Sequence, residues 1–243
     1  MKLSYSPASP YVRKVMVLLH ETGQLDDVKL LEGSGTPLAP HAETVQKNPI
    51  GKIPALERPD GATLYDSRVI CAFLDARAGD QLYPSGARRW ETLTLEATGD
   101  GIMDAALLMT YEGRLRPENL QMEAFVEAQY GKVEQACAAL NTRWMSHLAG
   151  PLDMGQVAVA CALAYVDFRH GHRDWRKGNE EQTNLLRDYI GCIHKFYPGS
   201  KVDVVAHSMG GLIARRYILD YPGDHYVNKL ITAATPYLGA PNA

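Results

Sequence analysis

The sequence lacks several features that would assign it to a special class of protein. No apolar run approaches the ~18 residues that a membrane-spanning helix needs. The 4 cysteines are widely spaced, without a C-x-x-C pair or a metal-ligand pattern, so we expect reduced core thiols and no metal. The first residues do not form a signal peptide, because Leu3 leads directly into polar residues. These absences predict a cytoplasmic protein.

An excess of charge of one sign is missing as well. The formal net charge is −3 at pH 7, and the two signs are interspersed along the chain. The basic pairs Arg88-Arg89 and Arg215-Arg216 are too short to form a binding patch. Neither nucleic acid nor a membrane is therefore an expected partner. The chain has 243 residues, of which 46% are hydrophobic, which is ample for a packed core and one or two domains.

The first 80 residues alternate short strands with helices, which predicts an α/β unit. The predicted strands lie near 2–5, 28–31, 54–57 and 62–65, and the predicted helices near 10–22, 39–46 and 66–77. A linker follows from Gly79 to Gly86, and the chain then reads as helical from Ala87 to Phe168.

Two signals mark helix starts within this helical part. Pro117 is expected to begin a helix after Arg116. Asp153, with Gln156 three residues later, has the spacing of a capping box ahead of an apolar run. That run is too short for a membrane span and fits a central core helix.

A candidate binding site is centred on the stretch Asn48–Leu56. Pro54 cannot donate to a sheet and suits a cis bond at the edge of one, which turns the main chain of Ile53 outward to pair with an extended peptide. Asp66 and Ser67 open the next helix, whose N–H groups and positive dipole end favour a carboxylate. Together these features predict a site for a small acidic peptide.

The start of the chain completes the pattern. After a strand, Ser9 is placed as the N-cap of a helix and Pro10 at its first position, within the stretch Ser9-Pro-Tyr-Val-Arg-Lys-Val15. With the Pro54 and Asp66-Ser67 signals in this order, residues 1 to about 178 resemble the glutathione transferase family, in its bacterial serine type. The resemblance implies a thioredoxin-like glutathione-binding domain at 1–80 and an all-α domain at 87–179.

The resemblance also implies roles for individual residues. Ser9 would be the catalytic residue, donating a hydrogen bond to the glutathione sulfur, with Ser6 as the alternative. The glutathione-binding set would be Lys52, Ile53, Pro54, Asp66 and Ser67. Two alternatives without a functional role stay open: Ser9 only caps a helix, and Lys52 is only a solvated surface lysine.

Partners follow from the same resemblance. Glutathione is the expected co-substrate, and a small electrophile would lie against the helical domain. Met103, Leu107 and Tyr111 are candidates to line that electrophile site, although plain core positions are an alternative for all three. A homodimer is expected.

A different signature occupies residues 180–243. Lys201–Ala206 reads as a strand, Ala206–Gly211 as a tight turn around Ser208, and Leu212–Leu219 as a helix; Leu230–Pro241 reads as a further strand and loop. This strand–elbow–helix–strand order resembles a fragment of a lipase-like α/β-hydrolase, with Ser208 as a vestigial nucleophile.

Hydrolysis by this fragment is not expected. A catalytic serine needs a base and an acid, and the downstream candidates are Asp220, Asp224 and His225. They lie at the far end of a helix of about twelve residues, roughly 18 Å from Ser208. The stretch His170-Gly-His172 reads as a helix-end turn, with an oxyanion loop or a metal site with Asp174 as alternatives.

Three functions therefore follow from the sequence. Glutathione transfer to an electrophile is the primary expectation. Ester hydrolysis through Ser208 and non-catalytic glutathione binding are the alternatives. A natural fusion, an engineered chimera and a recombined reading frame are equally compatible with the two signatures in one chain.

Overall fold

The computed structural model describes residues 1–175, residue 177 and two strands at 202–207 and 227–233. Ser208 and the predicted helix at 212–219 lie outside the described residues. Among the helices that are described, none is long and apolar enough to cross a membrane.

The N-terminal unit is a four-stranded mixed sheet with helices, the thioredoxin-like arrangement that the sequence predicts. Its elements are β1 (Lys2–Tyr5), α1 (Pro10–Glu21), β2 (Lys29–Glu32), α2 (Ala42–Lys47), β3 (Ala55–Arg58), β4 (Gly61–Leu64) and α3 (Ser67–Arg77). The strand order is β2-β1-β3-β4. Strand β1 runs parallel to β2 and antiparallel to β3, and β3 runs antiparallel to β4.

The core of this unit forms where α1 and α3 cover the sheet. Leu3 and Leu56 are cross-strand partners, and both are fully buried. From α1, Val15 and Leu19 reach the same core at helical spacing, and Ile70 joins them from α3. The apolar period of the sequence therefore decides which face of each helix meets the sheet.

The C-terminal unit is helical and consists of α4 (Ala87–Leu115), α5 (Glu123–Ala139), α6 (Met145–Leu148) and α7 (Met154–His170). A π-helical turn, Leu140–Trp144, joins α5 to α6. The expected helix start at Pro117 is wrong. Pro117 instead caps one 3-10 turn, Glu118–Leu120, and α5 begins only at Glu123.

Helices α4 and α7 cross at a very close distance. A Cβ atom built on Gly99 would lie 2.6 Å from the main-chain carbon of Ala158, and one on Gly155 would lie 2.7 Å from the Cβ of Leu95. No side chain fits in either gap, so the two backbones touch directly at these positions.

The predicted capping box of α7 is confirmed. The Asp153 carboxylate accepts hydrogen bonds from the N–H groups of Gly155 and Gln156 at 3.0 and 3.2 Å, and the Gln156 side chain accepts one from the Asp153 N–H at 2.7 Å. The second carboxylate oxygen of Asp153 accepts from Thr92 Oγ1 at 2.9 Å and lies 2.7 Å from His147 Nε2. One buried carboxylate thus joins α4, α6 and α7.

The linker between the units is held by Asp75 of α3. Its carboxylate accepts hydrogen bonds from the N–H groups of Gln81, Leu82 and Tyr83 at 3.0, 2.8 and 2.8 Å. The Tyr83 hydroxyl then donates to Glu96 of α4 at 2.9 Å. These bonds fix the direction in which the chain leaves the sheet domain.

A buried ion cluster connects α1 to α4. Lys14 is 0% exposed, and its ammonium lies 2.8 Å from Glu96 Oε1 and 2.9 Å from Asp100 Oδ1. Burial alone would lower the pKa of Lys14, but the negative charges around it reverse this and raise the pKa above its ordinary value. The ammonium is therefore charged and matched by carboxylates of the other unit.

His170 ends α7 as a buried residue, in agreement with the predicted helix-end turn. It is 7% exposed, and its Nε2 lies 2.9 Å from the Ala106 carbonyl oxygen and 3.2 Å from Thr110 Oγ1, both on α4. Burial lowers the pKa of His170. Within the described part of the chain, no group of three or more His, Cys, Asp or Glu side chains is placed to hold a metal ion.

The two strands of the C-terminal segment pair with each other. They are β5 (Val202–His207) and β6 (Val227–Ala233), and they run parallel. The two strands agree with the predicted first and last strands of this segment, while the predicted elbow and helix between them lie outside the described residues. The second strand begins three residues before the predicted Leu230.

Replacing Lys14 with methionine should lower the free energy of unfolding by about 3–5 kcal/mol, because Glu96 would be left buried without a countercharge and Asp100 would keep only the more distant Arg68. Urea unfolding followed by circular dichroism measures the change. The exposed Lys29 provides the matched control, since Lys29→Met should change stability by less than about 0.5 kcal/mol. Adding Glu96→Gln and Asp100→Asn to Lys14→Met should recover much of the loss. Equal stability of Lys14→Met and the wild type would contradict this account.

The lowered pKa of His170 predicts a pH dependence of stability. The unfolded chain binds a proton on His170 more tightly than the native protein does. The contribution of His170 to the stability of the fold is therefore present above its unfolded pKa of about 6.5 and is lost as the pH falls below that value. The loss should grow as the pH falls from 7 to 5. We expect His170→Gln to flatten this slope, and His20→Gln, at an exposed histidine of α1, provides the control that should leave it unchanged. A slope that is identical in all three proteins would exclude His170 as its source.

Candidate functional site

The sheet topology brings the predicted site segments to one end of the sheet. Ser4 of β1 pairs with Ala55 of β3, and Leu56 of β3 pairs with Leu64 of β4. Both pairs are antiparallel. The end of β1, the start of β3 and the end of β4 therefore lie at the same end of the sheet. The chain after β1 leads to Ser9, the chain before β3 contains Ile53, and the chain after β4 leads to Asp66.

Ser9 caps α1 and keeps one hydrogen-bonding function unused. Its Oγ accepts a hydrogen bond from the Val12 N–H at 3.3 Å, and Pro10 fills the first helical position, as predicted. A hydroxyl has one hydrogen to donate and two lone pairs, so capping consumes only a lone pair. Within the described residues, nothing accepts a hydrogen bond from the Ser9 hydroxyl. The cap and a contact to a ligand are therefore compatible.

The segment before β3 has the geometry that Pro54 predicts. The Ile53–Pro54 peptide bond is cis. Ile53 is half-buried and precedes the ladder of β3, which begins at Ala55. Asn48 holds the preceding loop, donating to the Lys52 carbonyl at 2.8 Å and accepting from the Ile50 N–H at 3.0 Å. Lys52 is exposed, so the interpretation that it is only a solvated surface lysine stays open.

Asp66 and Ser67 form the N-terminus of α3, as predicted. Asp66 is the N-cap, and its carboxylate accepts from the Arg68 N–H at 3.0 Å and from Arg68 Nη2 at 2.9 Å. Burial alone would raise the pKa of Asp66, but the hydrogen bond and charge of Arg68 outweigh it and the pKa is lowered. Ser67 is buried at the first position of the helix, where its N–H has no partner within the helix.

Arg68 links this helix end to the buried ion cluster. Its Nε lies 3.5 Å from Asp100 Oδ2, the same carboxylate that binds Lys14. Asp66 is therefore connected to the helical unit through Arg68, which pairs with Asp66 on one side and with Asp100 on the other. Sequence reasoning did not identify Arg68, because nothing in the local pattern shows which residue of α4 it faces.

A cavity of about 320 Å³ adjoins the Ser9 loop. It lies between that loop and α7, and it is lined by Pro7, Ala8, Pro10 and Arg13 on one side and by Ala164, Tyr165 and Phe168 on the other. The predicted lining residues Met103, Leu107 and Tyr111 are not among them, and Met103 is fully buried in the core. Ala164, Tyr165 and Phe168 line it instead, and no sequence pattern marks them because α7 is apolar on nearly all of its faces.

The site as a whole has three chemical parts. The cis-proline segment offers main chain to an extended ligand, and the start of α3 offers a carboxylate together with N–H groups. The start of α1 offers a hydroxyl, helped by the positive end of the helix dipole. A neighbouring apolar cavity completes an arrangement that suits a peptide bearing a nucleophile and a second, smaller reactant.

Family models match most of the chain. The model for the glutathione S-transferase N-terminal domain matches residues 8–77, and the model for its C-terminal domain matches residues 123–191. A third model, for lecithin:cholesterol acyltransferase, matches residues 167–243. The transferase and acyltransferase matches thus overlap at residues 167–191.

Individual relatives agree with these matches. A crystal structure of a glutathione transferase family member from Pseudomonas fluorescens Pf-5, with bound glutathione, has 46% identity and a TM-score of 0.74, covering 77% of this chain and 93% of that one. The uncharacterized GST-like protein YibF of Escherichia coli is 29% identical over 179 residues, which are 72% of this chain and 86% of YibF. The phospholipase A(1) LCAT3 of Arabidopsis thaliana is 35% identical over 95 residues, 37% of this chain but only 21% of the plant protein.

Proposed function

This chain belongs to the glutathione transferase family, and from that membership and its site we propose that it binds glutathione and transfers the thiol to a small electrophile. The observation that carries the proposal is the convergence of Ser9, Ile53 and Asp66 at one end of the sheet. The related Pseudomonas fluorescens protein has glutathione bound, which supports the same ligand here.

Each part of glutathione has a complementary group in this site. Ile53 would pair with the peptide main chain in the extended direction of a strand. The Asp66 carboxylate would bind the ammonium of the γ-glutamyl end, and the N–H of Ser67 would bind its carboxylate. Lys52 would lie near the other carboxylate, at the exposed side of the site.

Ser9 would stabilise the thiolate rather than attack the substrate. A thiol of ordinary pKa is mostly protonated at neutral pH, and the thiolate is the nucleophile. A hydrogen bond from Ser9 Oγ and the positive end of α1 both favour the charged sulfur. A lowering of the thiol pKa by one to two units, about 1.4–2.7 kcal/mol, would populate the thiolate at pH 7. The sulfur then forms a bond to the electrophilic carbon, and the leaving group departs with its electron pair.

The domain boundaries remain part of the proposal. We place the glutathione-binding domain at 1–80, the helical domain at 87–179 and the hydrolase-like fragment at 180–243, the last boundary falling within the overlap of the two family matches. The acyltransferase match supports the likeness of the last segment to a hydrolase fragment. Because the sequence offers Ser208 no base or acid within reach, we do not assign ester hydrolysis to it.

Ser9→Ala should lower kcat/KM for conjugation of 1-chloro-2,4-dinitrobenzene by roughly 10- to 100-fold, the range of one charge-assisted hydrogen bond. It should also move the pH–rate profile of the bound thiol upward by about one unit, since the thiolate loses its donor. Loss of the cap alone would cost about 1 kcal/mol of stability without moving that profile. Ser9→Thr, which retains the hydroxyl, should restore activity. Full activity in Ser9→Ala together with a loss in Ser6→Ala would assign the role to Ser6.

Glutathione binding is tested by retention on immobilised glutathione, elution with free glutathione, and calorimetric titration. Asp66→Asn should weaken the affinity about tenfold, because the γ-glutamyl ammonium loses its countercharge while asparagine still caps α3. The exposed Asp60 provides the control, and Asp60→Asn should bind as the wild type does. Wild-type protein that is folded but not retained would overturn the proposed ligand.

A further inference from the structure

The cavity beside the Ser9 loop carries one charged side chain. Among its lining residues Arg13 is the single ionisable group apart from the Tyr165 phenol, and no carboxylate lines the cavity. The rest of the wall is apolar, with Ala164 and Phe168 on the side of α7. A ligand that fills this space meets an apolar wall and a positive charge.

The guanidinium of Arg13 makes one hydrogen bond to a described residue. Its Nη2 donates to the Pro7 carbonyl at 3.1 Å, and among the described residues no carboxylate lies within ion-pair distance of it. A guanidinium has five N–H donors, so most of them have no hydrogen-bond partner among the residues that the structure describes. Burial lowers the pKa of Arg13, yet the ordinary value of an arginine lies so far above neutrality that the group stays charged.

A second guanidinium, that of Arg169, contacts the wall residue Phe168 but is not itself among the described lining residues. Arg169 stacks on Phe168, with its Cζ 4.1 Å from the ring centroid. Its Nε is buried and has no hydrogen-bond partner among the described residues. A half-buried arginine without a carboxylate is costly unless a ligand supplies the negative charge. The guanidinium of Arg13, which lines the cavity and has no carboxylate near it in the described part of the chain, therefore indicates an anionic ligand.

We propose that the electrophile of this transferase carries a carboxylate, which Arg13 binds while the carbon skeleton packs on Ala164 and Phe168. This inference rests on the proposed function, because it assigns the cavity to the reactant that meets the glutathione sulfur. The planar fork of Arg13 suits a carboxylate in bidentate geometry. Arg13 is thus a specificity-determining residue, and a small acidic electrophile is the substrate class.

A matched pair of aryl chlorides tests the assignment. For 4-chloro-3-nitrobenzoate and 4-chloro-3-nitrobenzamide the same reaction occurs: the sulfur–carbon bond forms, the carbon–chlorine bond breaks, chloride leaves, and the thiol proton passes to solvent. The ratio of kcat/KM for the acid to that for the amide should fall about tenfold in Arg13→Met and less in Arg13→Lys. Arg143→Met, at an exposed arginine away from the cavity, should leave the ratio unchanged. A comparison of ratios between variants cancels the different intrinsic reactivity of the two chlorides.

Two outcomes would overturn the inference. If Arg13→Met lowers both rates by the same factor, Arg13 only holds the loop through Pro7. If Arg13→Met changes neither rate, the carboxylate does not meet Arg13 at all. Circular dichroism and retention on immobilised glutathione show that each variant is folded.

Binding of preformed conjugates separates this inference from the proposed function. The acid and amide products, S-(4-carboxy-2-nitrophenyl)glutathione and its carboxamide, can be titrated without turnover, beside S-methylglutathione. We expect wild type to bind the acid about tenfold more tightly than the amide, and Arg13→Met to lose this preference. Equal affinities with intact S-methylglutathione binding would overturn the role of Arg13 and leave the glutathione site in place. No binding of any of the three would overturn the proposed function itself.

Discussion

The position of α1, which carries Ser9 at its start and Arg13 in its first turn, depends on the buried ammonium of Lys14. It lies in α1, and both of its carboxylate partners lie in α4, so the contact fixes the first helix of the sheet domain against the helical domain. Ser9 is the cap of that same helix, and Arg13 is the residue directly before Lys14. Because a buried charge must stay close to its countercharges, α1 cannot turn or slide without a large cost. The Ser9 loop, the cavity wall at Arg13 and the ion cluster are thus held together as one rigid unit.

Most of the fold follows from local signals. The alternation of short strands and helices, the Ser9-Pro10 start, the Asp66 cap and the Asp153-Gln156 capping box each act within a few residues, and each is found where the sequence places it. The cis bond before Pro54 also follows from one residue and its neighbours. The wrong helix start at Pro117 also has a local cause. A proline predicts that a helical turn begins, but it does not predict for how many residues the helix continues.

The cavity and the ion cluster could not be predicted in this way. Lys14 reads in the sequence as an ordinary exposed helix residue, because its carboxylate partners lie more than eighty positions away along the chain. Met103 is a predicted lining residue, but it lies in α4, which contributes no described lining residue to the cavity, and it is fully buried in the core. Which face of α7 meets the Ser9 loop is set by packing between helices, and no periodicity in α7 alone reveals it.

The contact between Gly99 and Ala158 limits how this enzyme can be remodelled. Since the backbones of α4 and α7 already touch there, α7 cannot retreat to enlarge the pocket that it borders. Broader substrate scope must come from shortening side chains on its surface, with Phe168, 37% exposed at the cavity wall, as the obvious place. A protein engineer would therefore randomise the exposed positions of α7 and keep both small residues at the crossing unchanged.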